Sequence, residues 1–544
     1  MLISSETYEC DIAIIGGGLG GVAGALAAVE TGAQVILTEE TPWIGGQITS
    51  QAVSALDEHP YIEKLPGTRT YGAFRNAIRH YYQVKYDAPA LMPNGDLLNP
   101  GNGWVSRLCF EPRAGLETLY SILGPHLASG RLRVILRYRT TGCEGDPTHI
   151  RSVTLARVST STPGDQSGTG GAVTIRARYY LDGTELGDLL PLAGIPYVTG
   201  AEAYEDTHEP EASRDGSHPE RVQSFTFCFL VEFCPGENHT IRKPRKYAEY
   251  RQRQPYSLTL YNRKGEALHY SFFEKSKEGL LPFWMYRRVF DASLLTRRHR
   301  EIARRDIALI NWNSNDYRWG NLIDQPADKK TAILAEARQL SRGFLYWLQT
   351  EVRRDDGRGY GYPELRLLTG AVGTRSGLAM APYTRESRRI LGLRRIHEQD
   401  ISLEGMETVT PTNFPDTAGI GWYSIDLHPC VGDEETTNHR SSMYAPTRPF
   451  QIPLGALIPL ECDNLLAACK NIATTHLTNG AYRLHHTEWS IGEAAGSLAA
   501  WCCANACTPR TVWESPTRLA NFQAHLRQRG VTLEWPQDIN TREL

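Results

Sequence analysis

A glycine-rich segment near the start of the chain, DIAIIGGGLGGVAGALAAVETGAQVILTEE (residues 11–40), constrains the fold more than any other stretch. The apolar run Ile12–Ile15 is typical of a buried strand, and a G-x-G-x-x-G motif follows it at once. The Ala-rich segment Val22–Glu30 predicts a helix, and Gln34–Leu37 predicts a second strand. A strand, a glycine loop, a helix and a strand in this order are typical of a Rossmann-type nucleotide site.

Each glycine of the motif has a separate role. Gly16 makes a tight turn, Gly18 lets the backbone approach a pyrophosphate, and Gly21 lets the helix pack on the strand. The free N–H groups and the dipole of the helix N-terminus favour negative charge at this point. Glu39 lies about 20 residues past the glycines, where a carboxylate can bind a ribose hydroxyl pair. We therefore expect a bound mononucleotide or dinucleotide.

Two adjacent glycines, Gly45 and Gly46, follow Glu39 and precede Gln47. They allow the backbone to pass close beside a cofactor that continues beyond its diphosphate. This arrangement resembles the glutathione-reductase-like FAD superfamily, and ordinary nicotinamide dehydrogenases lack it. The resemblance implies FAD as the cofactor, with these three residues among its contacts.

A second segment, RARYYLDGTELGDLL, tests this interpretation. The predicted strand Val173–Leu181 leads into a DGT turn and then into the pair Gly187-Asp188. In the same superfamily, a strand with an ATG-like turn and a GD pair returns the chain to the cofactor. The resemblance implies that Asp188 lies near the ribityl chain. Arg113, at the start of the predicted helix Ala114–Leu127, resembles the diphosphate-contacting arginine of related flavoproteins.

A third segment lies near the C-terminus, where Asn464–Ala468 predicts a strand and Ser490-x-x-Glu493 predicts a capping box that opens a helix. In the superfamily, helices of the GEAAG type point their N-termini at the flavin pyrimidine ring. There the helix dipole stabilises the anionic reduced ring. The resemblance implies cofactor contacts by Asn471, Gly492 and Glu493.

The cofactor segments lie at both ends of the chain, so we expect an interrupted fold. The fold class is α/β: a Rossmann-type FAD-binding domain of glutathione-reductase-like topology with an inserted α+β substrate or cap domain. The expected parts are the first FAD-binding part at 1–195, the insert at 196–455, the second FAD-binding part at 456–510 and a tail at 511–544. A second glycine fingerprint and a C-x-x-C motif are both missing, which argues against the built-in NAD(P)H domain of disulfide reductases.

Composition narrows the partners and the compartment. The 544 residues carry a formal net charge of -3, which gives no reason to expect nucleic acid as a partner. No run approaches the roughly 18 apolar residues of a membrane span, and the first residues lack a secretory signal pattern. The eleven cysteines include no C-x-x-C, so we expect no metal site and interpret the thiols, including Cys502, Cys503 and Cys507, as buried in a reducing cytoplasm.

Four motifs carry a closer resemblance: GNGWVSRLCFEPR, PYTRESRRILG, RPFQIPLGALIP and NGAYRLHHTEWSIGEAAGSLAA. Together they are similar to a bacterial family whose members are called FAD-dependent oxidoreductases, some of them xanthan-lyase-like. The resemblance covers almost the full length. It implies redox chemistry with FAD, held covalently or non-covalently, and it does not supply a substrate.

A flavin oxidase or dehydrogenase needs a substrate C–H bond beside the flavin and usually a base for the companion proton. Arg483, His485 and His486 precede the predicted C-terminal helix, and the adjacent histidines should point in different directions. His428, in IDLHPC, is a further candidate base. Arg375, in GTRSG, can bind a carboxylate through its bidentate fork. Purely structural roles stay open for each of these residues.

The main hypothesis is an FAD-dependent oxidase or dehydrogenase. It would transfer hydride from a small amine, amino acid or alcohol to flavin N5 and pass electrons to oxygen or to an external acceptor. A flavin monooxygenase or halogenase shares the fold and is the alternative enzyme class. A third hypothesis is a binding protein of the same fold without enzymatic activity.

Overall fold

The computed structural model describes residues 6–158, 171–262, 265–294, 305–403, 409–433 and 443–539. In these ranges the strands are β1 Glu6–Ile15, β2 Val35–Glu39, β3 Leu132–Leu136, β4 Tyr138–Asp146, β5 His149–Arg157, β6 Val173–Asp182, β7 Tyr197–Val198, β8 Phe225–Thr226, β9 Phe229–Phe233, β10 Thr259–Tyr261, β11 Ala267–His269, β12 Arg288–Phe290, β13 Ile307–Ile310, β14 Asp316–Tyr317, β15 Leu365–Leu367, β16 Arg389–Ile390, β17 Thr417–Gly421, β18 Ile425–Leu427, β19 Met443–Ala445, β20 Phe450–Pro453 and β21 Leu465–Ala467.

The α-helices of the same ranges are α1 Leu19–Glu30, α2 Arg69–Tyr86, α3 Pro112–Ala128, α4 Leu189–Ala193, α5 Tyr204–Thr207, α6 Tyr247–Arg253, α7 Phe283–Tyr286, α8 Ala327–Thr350, α9 Glu398–Ile401, α10 His476–Tyr482, α11 His485–Asn505, α12 Pro509–Glu514 and α13 Pro516–Gln528. Within the part of the chain that the model describes, no helix is long and apolar enough to cross a membrane.

A mixed sheet of seven strands forms the centre of the molecule. Strands β3, β2, β1 and β6 run parallel in that order, and β21 lies parallel to the C-terminal end of β6. The antiparallel pair β4–β5 joins the N-terminal end of β6. Strand β2 is buried along its whole length, as expected for a parallel strand that helices cover on both faces. The protein is therefore of the mixed α/β class.

Helices α1 and α11 pack against each other through glycines. A Cβ atom at Gly492 would overlap the carbonyl oxygen of Gly20, and one at Gly496 would overlap that of Gly24. The two backbones can approach this closely only because no side chain lies between them. Helix α11 is thereby fixed to the glycine motif near the start of the chain.

The predicted capping box is wrong, because α11 begins at His485 and not near Ser490. Ser490 lies inside the helix, where its hydroxyl donates to the His486 carbonyl at 2.9 Å. Glu493 accepts a hydrogen bond from the Thr70 hydroxyl and does not reach back to a helix terminus. A serine that bonds to the carbonyl four residues earlier is compatible with a helix interior, so this motif alone does not locate a helix start.

A second core lies in the middle of the sequence. The antiparallel sheet β12-β13-β9-β15 and helix α8 bury a cluster of aromatic and aliphatic side chains. Residues 223–233 contain two short strands, β8 and β9, and α8 is the longest helix among the described residues. Among the C-terminal cysteines, Cys502 is buried as expected, whereas Cys503 and Cys507 are only half-buried, because the end of α11 leaves the core.

Candidate functional site

The glycine motif, the Gly45-Gly46 pair and the turn after β6, all predicted to hold the cofactor, meet at one place. Gly16 has a φ of 100°, and a Cβ atom there would overlap the backbone of Gly183 in the DGT turn. The amide of Gly45 donates to the carbonyl of Gly17 at 2.7 Å, and Gly46 has a φ of 48°. The glycine motif, the Gly-Gly pair and the turn after β6 therefore form one continuous backbone surface.

Glu39 lies at the end of β2, against this surface. Its carboxylate accepts hydrogen bonds from the amides of Gly17 and Thr41, both at 2.9 Å. Burial, and after it the charge of Glu40, raises the pKa of Glu39 to about 8. The carboxyl group can therefore hold a proton near neutral pH. Binding of a ribose by Glu39 stays a prediction.

The N-terminus of α1 already binds an anionic group of the protein. The amide of Gly20 donates to one oxygen of Glu488 at 3.1 Å. The other Glu488 oxygen accepts from the Gln47 amide at 2.6 Å and lies 3.4 Å from the Lys470 ammonium. Lys470 also pairs with Glu185. One buried lysine thus bridges two carboxylates beside the glycine motif.

The glycine backbone and Lys470 fit the diphosphate of a dinucleotide, whereas the Glu488 carboxylate competes for the same amide. The carboxylate of Glu488 stands at the helix N-terminus, where free N–H groups and the dipole favour an anion. A Cβ atom at Gly18 or Gly46 would collide with the carboxylate of Glu185, so this side chain lies over the Cβ-free surface. The side chain of Glu185 is 24% exposed, whereas those of Lys470 and Glu488 are 1% and 0% exposed. Glu185 is therefore the group with a path to solvent.

The other predicted cofactor contacts have varied surroundings. The amide of Asn471 donates to the Asp182 carbonyl at 3.1 Å and so joins the loop after β21 to the turn after β6. Asp188 pairs with Arg388 at 3.0 Å. Gly492 contacts α1, and Glu493 contacts Thr70, as described above. Their contacts with a cofactor stay predictions.

Arg113 and Arg375 line the same exposed cleft, which has a volume of about 440 Å³. The Arg113 guanidinium lies over the Trp43 ring, 5.3 Å from its centre. The sequence assigned these arginines to different tasks, the first to a diphosphate and the second to a substrate carboxylate. The binding roles of both arginines stay predictions.

His485 and His486 point in different directions, as predicted, and both are buried. His485 accepts from the Asp57 amide and donates to the Val53 carbonyl, both at 3.0 Å, and burial lowers its pKa to about 4. His486 accepts from the Trp422 amide at 3.3 Å, and burial lowers its pKa to about 3. Both rings are therefore neutral at physiological pH and are bonded to backbone, which favours structural roles.

His428 lies between two aspartates. Its Nδ1 is 2.6 Å from the Asp316 carboxylate, and its Nε2 is 3.6 Å from the Asp426 carboxylate. Asp316 is buried and pairs with Arg385 at 3.0 Å. Burial alone would raise the pKa of Asp316, but the Arg385 guanidinium and the His428 ring hold it well below its usual range. Asp316 therefore stays ionised and orients the histidine.

Arg483 joins this group to the start of α11. Its guanidinium donates to the Asp426 carboxylate at 3.1 Å and to the Tyr383 hydroxyl at 2.8 Å. Arg483 ends α10 and directly precedes Leu484, the N-cap of α11. The predicted residues Arg483 and His428 thus belong to one polar network next to the start of α11.

Four side chains of this network are half-buried and so keep surface that water can reach: Tyr286, Tyr423, Asp426 and His428. We call them the His428 cluster. Both tyrosines interact electrostatically with Asp426 and with Asp57. The arginines behind them are buried. Asp316 and the two tyrosines were missed by sequence reasoning, because no spacing links them to His428.

One group among the described residues has the geometry of metal ligands. Donor atoms of Cys234, Glu237 and His239 lie within 4.8 Å of one another. The guanidinium of Arg305 donates to the Cys234 sulfur at 2.9 Å and to Glu237 at 2.8 Å. An arginine therefore already supplies the positive charge at this turn.

The glycine motif after β1, the acid at the end of β2 and the anion-binding N-terminus of α1 define a Rossmann-type dinucleotide-binding protein. The model of the FAD dependent oxidoreductase family matches residues 11–526, and the chain belongs to that family. It is therefore an enzyme with FAD as its cofactor. Membership in an enzyme family favours this conclusion over the non-enzymatic alternative.

No curated protein matches the sequence. Among solved structures, the chain is similar to the fumarate reductase subunit of E. coli quinol fumarate reductase at 13% identity, with a TM-score of 0.29, over 96% of this chain and 74% of that one. It is also similar to L-proline dehydrogenase from P. horikoshii at 15% identity and a TM-score of 0.18, over 38% of this chain and only 26% of that one. The enzyme RebC is similar at 16% identity and a TM-score of 0.24, over 42% and 39%. Similarity at this level does not extend to substrates or partners.

Proposed function

We propose that this enzyme oxidises a C–H bond of a small organic substrate, and that His428 takes the companion proton. Electrons would then pass to oxygen or to an external acceptor. When bound, FAD supplies a ring that accepts a hydride equivalent. The chain's own residues bind the cofactor, orient the base and exclude water.

The cofactor would be held by both ends of the chain in a glutathione-reductase-like arrangement. The strand order β3-β2-β1-β6-β21 supports this, since β21, from residues 465–467, lies parallel to strands from the first 182 residues. We propose that 1–195 and 456–510 form the FAD-binding domain and that 196–455 is an inserted cap, followed by a tail at 511–544. The separate aromatic core around α8 supports the insert.

Within that domain, we assign the diphosphate to the Gly16–Gly18 turn and the amide of Gly20. Glu39 would bind ribose, and Lys470 would place a positive charge beside the phosphates. The Cβ-free surface of Gly18 and Gly46 supports this assignment. So does the carboxylate that Gly20 already binds.

The single observation that carries the proposal is the Asp316–His428 pair. Nδ1 of His428 lies 2.6 Å from the Asp316 carboxylate and donates to it, so in the neutral ring the lone pair is on Nε2, which faces Asp426 at 3.6 Å. A carboxylate that fixes the tautomer of a histidine in this way is the arrangement of a general base. The His428 side chain is 18% exposed, whereas His485 and His486 are buried.

The test is an anaerobic screen of FAD-loaded enzyme against amines, amino acids, alcohols and sugars, followed by admission of air. Loss of the visible flavin absorbance with one class, and its return in air with peroxide release, is expected of an oxidase. Loss without return in air indicates a dehydrogenase with another acceptor. Rapid bleaching by NADPH with an oxygenated product would overturn the proposal in favour of a monooxygenase.

A further inference from the structure

The arginines around the His428 cluster are all paired with aspartates. Arg287 pairs with Asp57 at 3.1 Å. Arg385 pairs with Asp316 at 3.0 Å, and Arg483 pairs with Asp426 at 3.1 Å. All three guanidinium groups are buried; carbonyl or hydroxyl oxygens accept from a further nitrogen of each, whereas the three Nε atoms have no hydrogen-bond partner. Three positive charges are thus matched by three negative charges.

This pairing bears on what the cluster can bind. A carboxylate substrate needs an unpaired arginine or lysine, because burying an uncompensated anion is costly. An alkylammonium substrate needs an unpaired carboxylate, and Asp426 is already bonded to Arg483. Neither a substrate carboxylate nor a substrate ammonium would find an unpaired opposite charge among the side chains of the described network.

The accessible groups are instead suited to hydroxyls. The partly exposed side chains of the cluster carry two phenols, from Tyr286 and Tyr423, the Asp426 carboxylate and the His428 imidazole. Phenols donate and accept, whereas the carboxylate and the Nε2 lone pair accept. Such a set can bind a neutral compound that carries two or more hydroxyl groups.

We infer that the substrate is a neutral hydroxyl compound and not a carboxylate or an amine, an inference that rests on the proposed oxidation at His428. In the reaction, the substrate O–H and C–H bonds break and a C=O bond forms. The proton would pass to His428 Nε2, and FAD, when bound, would supply the acceptor for the hydride and its two electrons. The alcohol becomes an aldehyde or ketone, and no further reactant is consumed in this half-reaction.

A matched pair of ligands tests the charge preference without turnover. Propane-1,2-diol and lactate share a carbon skeleton and a secondary hydroxyl, but only lactate carries a carboxylate. Glucose and glucuronate form a larger pair. Each is titrated into FAD-loaded enzyme, and binding is followed by the shift of the flavin absorbance. We expect at least tenfold tighter binding of the neutral member in one pair or both. Tighter binding of the carboxylates, or no preference in either pair, would overturn the inference.

The variant Asp426→Asn leaves Arg483 without its counter-ion at nearly constant shape. For this variant, the ratio of the Kd of lactate or glucuronate to the Kd of its neutral partner should be at least tenfold lower than for the wild type. The control Asp324→Asn removes a carboxylate that pairs with Arg388 outside the His428 cluster, and it should keep the wild-type ratio. An unchanged ratio in Asp426→Asn would contradict the inference. If the charge preference is found but no compound bleaches the flavin, the proposed oxidation fails while the preference stands.

Discussion

At the scale of single residues, three charged side chains lie beside the glycine motif that sequence patterns did not predict there. Three glycines and Glu39 could be assigned from spacing alone, because the strand, loop and helix that carry them are neighbours in the chain. Glu185, Lys470 and Glu488 could not, since they come from three distant segments and meet only in the fold. The carboxylate of Glu488 occupies a place suited to a phosphate.

Replacement of Glu488 by glutamine should tighten FAD binding. Two like charges about 4 Å apart repel by about 4 kcal/mol at an effective dielectric constant near 20, so removal of one should favour the diphosphate. We expect at least a tenfold lower Kd, measured by quenching of FAD fluorescence on addition to apoprotein. Glu209→Gln removes another buried carboxylate, one bonded to Thr475, and should leave the Kd unchanged. Weaker FAD binding by Glu488→Gln would show that the carboxylate contributes to holding the cofactor.

His485 should make the fold sensitive to acid. Its pKa is about 4 in the folded state and 6.5 in the reference state, so the unfolded chain binds more protons between these values. The stabilising contribution is therefore complete above pH 6.5 and is lost as the pH falls towards 4, at about 1.4 kcal/mol per unit. At pH 5 the loss is about 2 kcal/mol.

His485→Gln keeps a donor and an acceptor but does not titrate. Its free energy of unfolding in urea should fall by about 2 kcal/mol less than that of the wild type between pH 7.5 and pH 5. Equal losses in both proteins would mean that the His485 ring is not held neutral in the folded state.

At the scale of elements, the contact between α1 and α11 depends on glycine. Gly492→Ala would place a methyl group on the backbone of Gly20, so the helices would have to separate. Overpacking of this kind costs roughly 1–3 kcal/mol. We expect a lower free energy of unfolding and weaker retention of FAD, read by urea titration and by flavin content after gel filtration.

The matched control is Gly124→Ala in α3, where a Cβ atom would meet nothing within 4 Å. Alanine stabilises a helix interior relative to glycine by up to about 1 kcal/mol, and the following Pro125 offsets part of this gain, so this variant should stay within about 1 kcal/mol of the wild type. Equal stability of Gly492→Ala and the wild type would contradict the close helix contact.

Local patterns identified the elements around the expected cofactor site but not all of their ends. The strands β1, β2, β6 and β21 and the helices α1 and α3 were predicted from apolar runs bounded by glycine and turn residues. The start of α11 was misplaced because Ser490 and Glu493 have the spacing of a capping box although both lie inside the helix. Asp316 and His428 lie 112 residues apart, so no motif could connect them.

At the scale of the whole molecule, the described contacts place His428 and Asp316, from the middle of the sequence, beside Arg483 just before α11. An insert that carries the base and a two-part domain that carries the cofactor would create the active site where they meet. Cofactor binding and proton transfer would then belong to separate parts of the chain.

The measurement that tests this most directly is the anaerobic rate of flavin reduction in His428→Gln, with the fastest substrate of the screen. We expect a loss of at least about 100-fold, unchanged FAD affinity and partial rescue by added imidazole. His269→Gln, at an exposed position on β11, should reduce at the wild-type rate. Reduction of His428→Gln at the wild-type rate, with no effect of imidazole, would contradict the role of His428 as the base.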